Sequence, residues 1–341
     1  MSTAGERTTL ACVGAGYWGR NLVRVFAGLP EVRLKTVCDA NADIRKVMRA
    51  QYPEVEAAAS FEEVLSDGEV EAVVLAVPAV RHFAAARAAL EAGKHVFVEK
   101  PMTLSGGEAE ELVELGERQG RTLMVGHLLE YHPAVEFLRE IISLGELGEI
   151  YYLYSQRVNL GIVRRDENAL WSFAPHDLSV ILYLLGQVPD SVSARGESYL
   201  QHGVEDVVFV NLHFPDGKMA QLQLSWLDPH KIRKLTIVGS RKMAVFDDME
   251  STEKVRIYDK AAEREEYESY GDAITLRMGD IVIPHIHMAE PLRLEAQHFA
   301  ECIRSGKPPR SDGRDGLRVV RVLEAAQKSL QEDGAPQPLP R

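Results

Sequence analysis

The stretch VGAGYWGRN, residues 13–21, carries glycines at 14, 16 and 19 in the spacing G-x-G-x-x-G. Where such a run follows a strand and opens a helix, each glycine has a task. Gly14 permits the tight turn, Gly16 lets a pyrophosphate approach the backbone, and Gly19 lets the helix pack closely, while the helix N-terminus offers free N–H groups and a positive dipole. Asp39 follows Gly19 by 20 residues. A carboxylate at that separation accepts hydrogen bonds from a ribose 2′-hydroxyl and repels a 2′-phosphate, which favours NAD over NADP, although Arg45 lies close by in sequence. The competing reading is a plain strand-to-helix turn with Asp39 as a surface cap.

Two further residues have types suited to moving charge. Lys100, in VFVEKPMTLS, falls at the carboxyl end of an apolar run, and Pro101 biases it toward extended backbone. An ammonium there can hold a substrate hydroxyl and stabilise the oxyanion that develops as hydride leaves carbon; the plain reading is a solvated lysine. Imidazole is the side chain that titrates nearest to neutral pH, which makes His176 a candidate proton carrier, and Pro175 beside it marks a helix start whose positive end would keep the ring neutral and able to accept a proton. It could equally be a capping or core histidine. Arg157 and Asn159, two apart on a strand, share a face and could address a sugar hydroxyl, carboxylate or phosphate, with Arg164, Arg165 and Asn168 extending the set as a loop. Solvated arginines or subunit salt bridges would fit the same residues. His127 and Tyr131, in GHLLEYHP, follow the last strand of the first half, where a substrate-facing cleft is expected.

The elements that must position these groups alternate. Apolar runs at 10–14, 34–39, 71–77, 95–100 and 122–126 are separated by amphipathic helical stretches, two of which, 82–93 and 105–120, end in glycine. Strands apolar on both faces with helical crossovers make a doubly wound parallel sheet. After residue 126 the rhythm changes to a helix at about 133–143 and strands at 149–158, 206–214, 218–226, 234–239 and 242–247, with a hairpin turn at residues 215–217. Helices at about 289–305 and 315–331 precede a loose tail, APQPLPR. The expected organisation is a Rossmann domain over 1–126 and an α+β domain with a largely antiparallel open sheet over 127–341.

Bulk properties narrow the partners. A net charge of −12 over 341 residues gives no general grip on nucleic acid, and no apolar run reaches the roughly 20 residues needed to span a bilayer. The N-terminus lacks a basic segment followed by an apolar one, which suggests a cytoplasmic location. Three cysteines without ligand spacing suggest buried thiols, and the histidines and Glu290 of residues 285–290 do not assemble a metal site.

The combination of GAGYWGRN, EKPMTLS, WSFAPHDLSVILYLLG and the segment from EPLRLEAQHF to RVVRVLEAA resembles the Gfo/Idh/MocA family over nearly the whole chain. The resemblance implies oxidation or reduction of ring hydroxyls of sugars or cyclitols with a nicotinamide cofactor, Lys100 as the catalytic lysine and His176 as the acid/base. It places Gly14, Gly16, Tyr17, Trp18, Gly19, Asp39, Val77, Pro78, His82 and Glu99 at the cofactor, and Arg157, Asn159, Arg164, His127 and Tyr131 at the substrate. Within the family the sequence looks like members acting on UDP-linked N-acetylamino sugars or their uronates at C3. Free-sugar or inositol dehydrogenases, ketosugar reductases and a non-catalytic NAD-binding regulator remain alternatives. One departure is Ser172, where the family commonly has aspartate four residues before the histidine. The exposed face of the second sheet implies a homodimer or homotetramer.

Overall fold

The computed structural model describes residues 7–161, 163–164, 167–265 and 273–339. The chain divides into two compact units, Met1–Tyr131 with Ala289–Arg321, and His132–Met288 with Val322–Arg341.

In chain order the first unit contains β1 (Thr8–Val13), α1 (Gly19–Ala27), β2 (Val32–Cys38), α2 (Ala42–Gln51), β3 (Glu56–Ala58), α3 (Phe61–Ser66), β4 (Ala72–Leu75), α4 (His82–Glu91), β5 (His95–Glu99), α5 (Gly106–Gln119) and β6 (Leu123–Gly126). All five strand pairs are parallel, in the order β3-β2-β1-β4-β5-β6. Successive residues point to opposite faces, so Leu10 and Cys12 enter one core with Phe26 of α1, while Ala11 and Val13 enter another with Ala86, Ala89 and Leu112. Burial on both faces explains the unbroken apolar runs. Edge strand β3 has no buried residue, and its hydrophobic signal is correspondingly weak.

The second unit contains α6 (Pro133–Ser143), β7 (Ile150–Val158), α7 (Ala169–Leu185), β8 (Ser191–Glu197), β9 (Val207–His213), β10 (Met219–Ser225), β11 (Ile232–Gly239), β12 (Met243–Asp247), β13 (Val255–Glu265) and β14 (Ala273–Val282). Helices α8 (Pro291–Ser305) and α9 (Gly313–Gln331) follow, then β15 (Gln337–Pro338). The nine strands run β14-β13-β12-β11-β7-β10-β9-β8-β15 and are antiparallel except where β10 meets β7. The hairpin at 215–217 joins β9 and β10, with Gly217 at φ +83°.

By contact, α8 and the start of α9 group with the first compact unit. The cause is packing, because Phe299 of α8 meets Phe97 and Phe26 edge-on at centroid distances of 5.7 and 6.4 Å. An amphipathic pattern announces a buried face without naming the sheet it covers. The tail is not loose, since Gln337 and Pro338 pair with Val192 and Ser191, and Leu339 is buried; Pro340 and Arg341 lie outside the described residues. Strands β8, β13, β14 and β15 join the five named from the sequence in this sheet.

Cys12, Cys38 and Cys302 are buried free thiols.

His95, at the start of β5, gives a handle on stability. Its Nδ1 accepts from the Thr122 N–H at 3.0 Å and Arg121 Nη1 stands 3.3 Å from Nε2, so a ring proton on either side would face another donor. Burial, then the Arg121 charge, pull its pKa down to about 4. The folded pKa lies below the unfolded one, so this contribution is complete above about pH 6.5 and is lost as pH falls toward 4. Urea midpoints measured between about pH 7 and 4.5 are expected to fall less steeply for His95→Gln than for the parent; equal slopes would remove His95 from the account.

Candidate active site

The glycine loop is built by close contacts. Gly14 has φ +87°, and a Cβ there would lie 2.5 Å from the Ala76 carbonyl oxygen. A Cβ on Gly19 would meet the Gly14 oxygen at 2.0 Å, so no side chain fits where α1 begins. At Gly16 a Cβ would meet nothing within 4 Å; the space it leaves lies outside the chain's own packing. Tyr17 is almost fully exposed beside it, and Trp18 is partly so.

Asp39, just past β2, braces this loop. Its Oδ2 accepts from the Ala15 N–H and its Oδ1 from the Asn41 N–H, both at 2.8 Å. Arg45 Nη1 donates to the carbonyls of Asp39 and Ala40 at 2.7 and 2.9 Å, so this guanidinium is anchored to backbone beside the carboxylate.

Lys100 follows β5 directly, at the strand edge where doubly wound sheets collect ligands, and is half-buried. The Lys100–Pro101 peptide is cis. Behind it, the buried Glu99 accepts from the Trp18 indole at 2.5 Å through Oε1 and from the Lys100 N–H at 3.3 Å through Oε2. Burial pushes the Glu99 carboxyl above its ordinary range, against the pull of Trp18. Gly126, paired with Glu99 across β5 and β6, leaves room for that carboxylate, which a Cβ would approach to 3.1 Å.

Of the other expected cofactor residues, Val77 is half-buried and Pro78 exposed. His82 is 1% exposed, with Nδ1 2.7 Å from the Pro101 oxygen and Nε2 2.9 Å from the Val77 oxygen. Its ring therefore clips the loop after β4 to the loop after β5, and both nitrogens are committed to backbone. A short sequence window cannot distinguish such a clip from a ligand-facing histidine.

His127 and Tyr131 are interior groups, contrary to the expectation of a substrate-facing surface. His127 is 2% exposed, with Nδ1 2.7 Å from Asp315 Oδ2 and 3.4 Å from Glu130 Oε1. Burial alone would depress its pKa, but the two carboxyls raise it to about 10, while burial pushes Glu130 up to about 8. Tyr131 donates to or accepts from Ser311 Oγ at 3.0 Å, and the Arg310 guanidinium lies 4.8 Å above its ring. Asp315 is 188 residues from His127, so no local pattern announces the pair.

In the second unit, His176 is half-buried in α7, but not at its start. The helix begins at Ala169, capped by Asn168, whose side-chain oxygen accepts from the Trp171 N–H at 3.2 Å. Pro175 lies inside it, which removes the helix-terminus argument for a neutral His176. Asparagine capping has fixed the start nearly two turns before the proline. Ser172 is buried one turn before His176, on the same face.

Arg157 is 7% exposed in β7 and grips Asp177 of α7, Nε to Oδ2 at 2.5 Å and Nη2 to Oδ1 at 3.3 Å. The residue proposed for substrate is thus paired within its own unit, locking the helix that carries His176 onto the sheet. Asn159 is half-buried, its N–H donating to the Ser225 oxygen at 3.0 Å. Arg164 is exposed and pairs with Glu167 at 3.1 Å; Arg165 lies outside the described residues. His285 and His287 stack edge-on at 4.8 Å.

Residues 8–127 match the oxidoreductase family with an NAD-binding Rossmann fold, and residues 139–339 match the C-terminal α/β domain of that family. A putative oxidoreductase from Magnetospirillum magnetotacticum is 31% identical with a TM-score of 0.80, the match covering 94% of this chain and 100% of that one. UDP-N-acetylglucosamine 3-dehydrogenase of Acidithiobacillus ferrooxidans is 27% identical over 90% of this chain and 92% of its own. Its solved structure gives a TM-score of 0.80 over 95% and 97% of the two chains. The scyllo-inositol 2-dehydrogenase of Bacillus subtilis is 28% identical over 79% and 78%.

Because removing one partner of a buried ion pair strands the other charge, Arg157→Met is expected to cost about 3–5 kcal/mol of stability. The double variant Arg157→Met/Asp177→Leu should recover most of it in urea unfolding. A loss below about 1 kcal/mol in the single variant would show that the pair does not lock the helix.

Proposed function

This chain belongs to the Gfo/Idh/MocA oxidoreductase family, and from that premise we propose that it is an NAD-dependent dehydrogenase that oxidises the C3 hydroxyl of a UDP-linked N-acetylamino sugar or its uronate. The observation that carries the reading is the wiring of Lys100: one buried carboxylate, Glu99, takes both its backbone N–H and the indole of the glycine loop. A lysine held to the loop that would cradle a dinucleotide is suited to act on the same substrate carbon.

The residues fit the cofactor. The open position at Gly16 and the exposed start of α1 suit a pyrophosphate, and Asp39, which keeps lone pairs beyond its two backbone bonds, suits a ribose diol and disfavours a 2′-phosphate. When bound, a nicotinamide supplies the acceptor for the hydride that leaves the carbinol carbon. Lys100 holds the sugar oxygen and offsets the negative charge that develops on it. His176 receives the hydroxyl proton, its side chain oriented by the helix that Arg157 and Asp177 fix. The choice of a nucleotide sugar draws support from the dehydrogenase of Acidithiobacillus ferrooxidans, similar over most of both chains.

We further propose that the outer face of the second sheet pairs with another copy. Tyr152 and Tyr154 stack there at 6.3 Å, and Met219 and Phe209 are exposed on neighbouring strands, an apolar row of the kind that marks a protein contact. Light scattering should give a dimer or tetramer that Tyr154→Glu shifts toward smaller species; a monomeric parent would overturn this.

Absorbance of reduced cofactor is to be followed with NAD or NADP and UDP-N-acetylglucosamine, its uronate, glucose and inositol. Turnover is expected with NAD and a UDP-sugar, falling about 100- to 1000-fold in Lys100→Ala and at least 100-fold in His176→Ala. Turnover of inositol or glucose in preference to the UDP-sugars would replace the substrate assignment, a preference for NADP would overturn the role of Asp39, and cofactor binding without turnover of any sugar would point to a regulator.

A further inference from the structure

We propose that His127, Glu130 and Asp315 form a binding site for one divalent first-row metal ion, with zinc the best match. The three residues offer one ligand atom each, and these atoms lie within 4.8 Å of one another. His127 Nδ1 stands 2.7 Å from Asp315 Oδ2 and 3.4 Å from Glu130 Oε1. Ligand bonds of about 2.0–2.1 Å in a tetrahedron place neighbouring donors about 3.3 Å apart, so sub-ångström side-chain shifts bring the set onto a cation. One imidazole and two carboxylates make a donor set for zinc, with a fourth position left for water.

A second observation points to a positive ligand. Both oxygens of Glu130 are buried and accept no hydrogen bond from any described residue, and the residue is 0% exposed. The same holds for both oxygens of Glu295 in α8, 1% exposed, whose carboxyl is pushed well above its ordinary range by burial and then by the Glu99 charge, with His127 and Glu130 also acting on it. Four buried carboxylate oxygens without a hydrogen bond, of which Glu130 Oε1 alone faces an imidazole at 3.4 Å, carry a heavy desolvation cost. A dication in the midst of these groups offsets it.

The surroundings fix the donors as an outer shell does. Arg318 Nη2 holds Asp315 Oδ1 at 2.8 Å, leaving Oδ2 for the ion, and the Asp315 N–H is taken by Asp312 Oδ1 at 2.8 Å. The Arg310 guanidinium donates to the Glu130 carbonyl, securing the short turn that carries two of the donors. All of these groups belong to the first unit, so the inference does not depend on the substrate proposed above.

The test uses the full chain. After treatment with chelator and dialysis, the protein is titrated with zinc, and separately with cobalt as a spectroscopic probe. One equivalent of zinc per chain, a higher melting temperature on adding it, and visible d–d absorption of tetrahedral intensity with cobalt are expected. Glu130→Gln and Asp315→Asn should each weaken zinc binding at least tenfold, and His285→Ala/His287→Ala should leave it unchanged. Absence of both stoichiometric binding and a tetrahedral cobalt spectrum in the parent protein would overturn the site whatever the variants do. Binding lost only in the His285→Ala/His287→Ala variant would overturn it equally; the buried trio would then be a hydrogen-bonded proton cluster.

Discussion

The carboxylate of Glu99 is the point on which the chemistry of the first unit depends. It sits at the end of a strand buried on both faces, where a charge is costly unless its oxygens find donors. The Trp18 indole and the Lys100 N–H supply them, so the glycine loop and the lysine are referenced to one group. Gly126 on the adjoining strand yields the volume. His82 then ties the carbonyl after Lys100 to the preceding crossover. A parallel sheet presents its functional residues on loops, and loops need such local anchors to hold a geometry.

The second unit solves the same problem with a helix. Asn168 caps α7 and also donates to Glu205 and Gln327, at 2.6 and 2.9 Å, and the Trp171 indole donates to the same Gln327 oxygen at 3.2 Å. About two and a half turns beyond Asn168, Asp177 meets Arg157 and fixes the opposite side. His176 is carried between these two anchors, so its direction is set by groups that need not touch a substrate.

The sheet of the first unit was readable because its strands are buried on both faces and helices α4 and α5 run into a glycine; edge strand β3, with no buried residue, lacked a signal. Gly14 and Gly19 were readable for a similar reason, since their backbone demands are local. Residues whose partners lie far along the chain were not. Arg157 meets Asp177 of α7, 20 residues on, while His127 and Tyr131 meet Asp315 of α9 and Ser311 of the loop before it, 188 and 180 residues on. Pro175 misled because proline usually opens helices, whereas here the Asn168 cap had already done so.

β15 has a consequence for solubility. An unpaired sheet edge is a template for another strand, and β8 would be such an edge were it not covered by Gln337 and Pro338. The covering strand ends in a proline that cannot donate from its own backbone, so it closes the ladder without extending it. Without Gln337 and Pro338 both C-terminal helices and the other eight strands of this sheet would remain, with the Ser191–Val192 end of β8 unpaired. The pairing of Gln337 and Pro338 thus closes the Ser191–Val192 end of β8 to another strand.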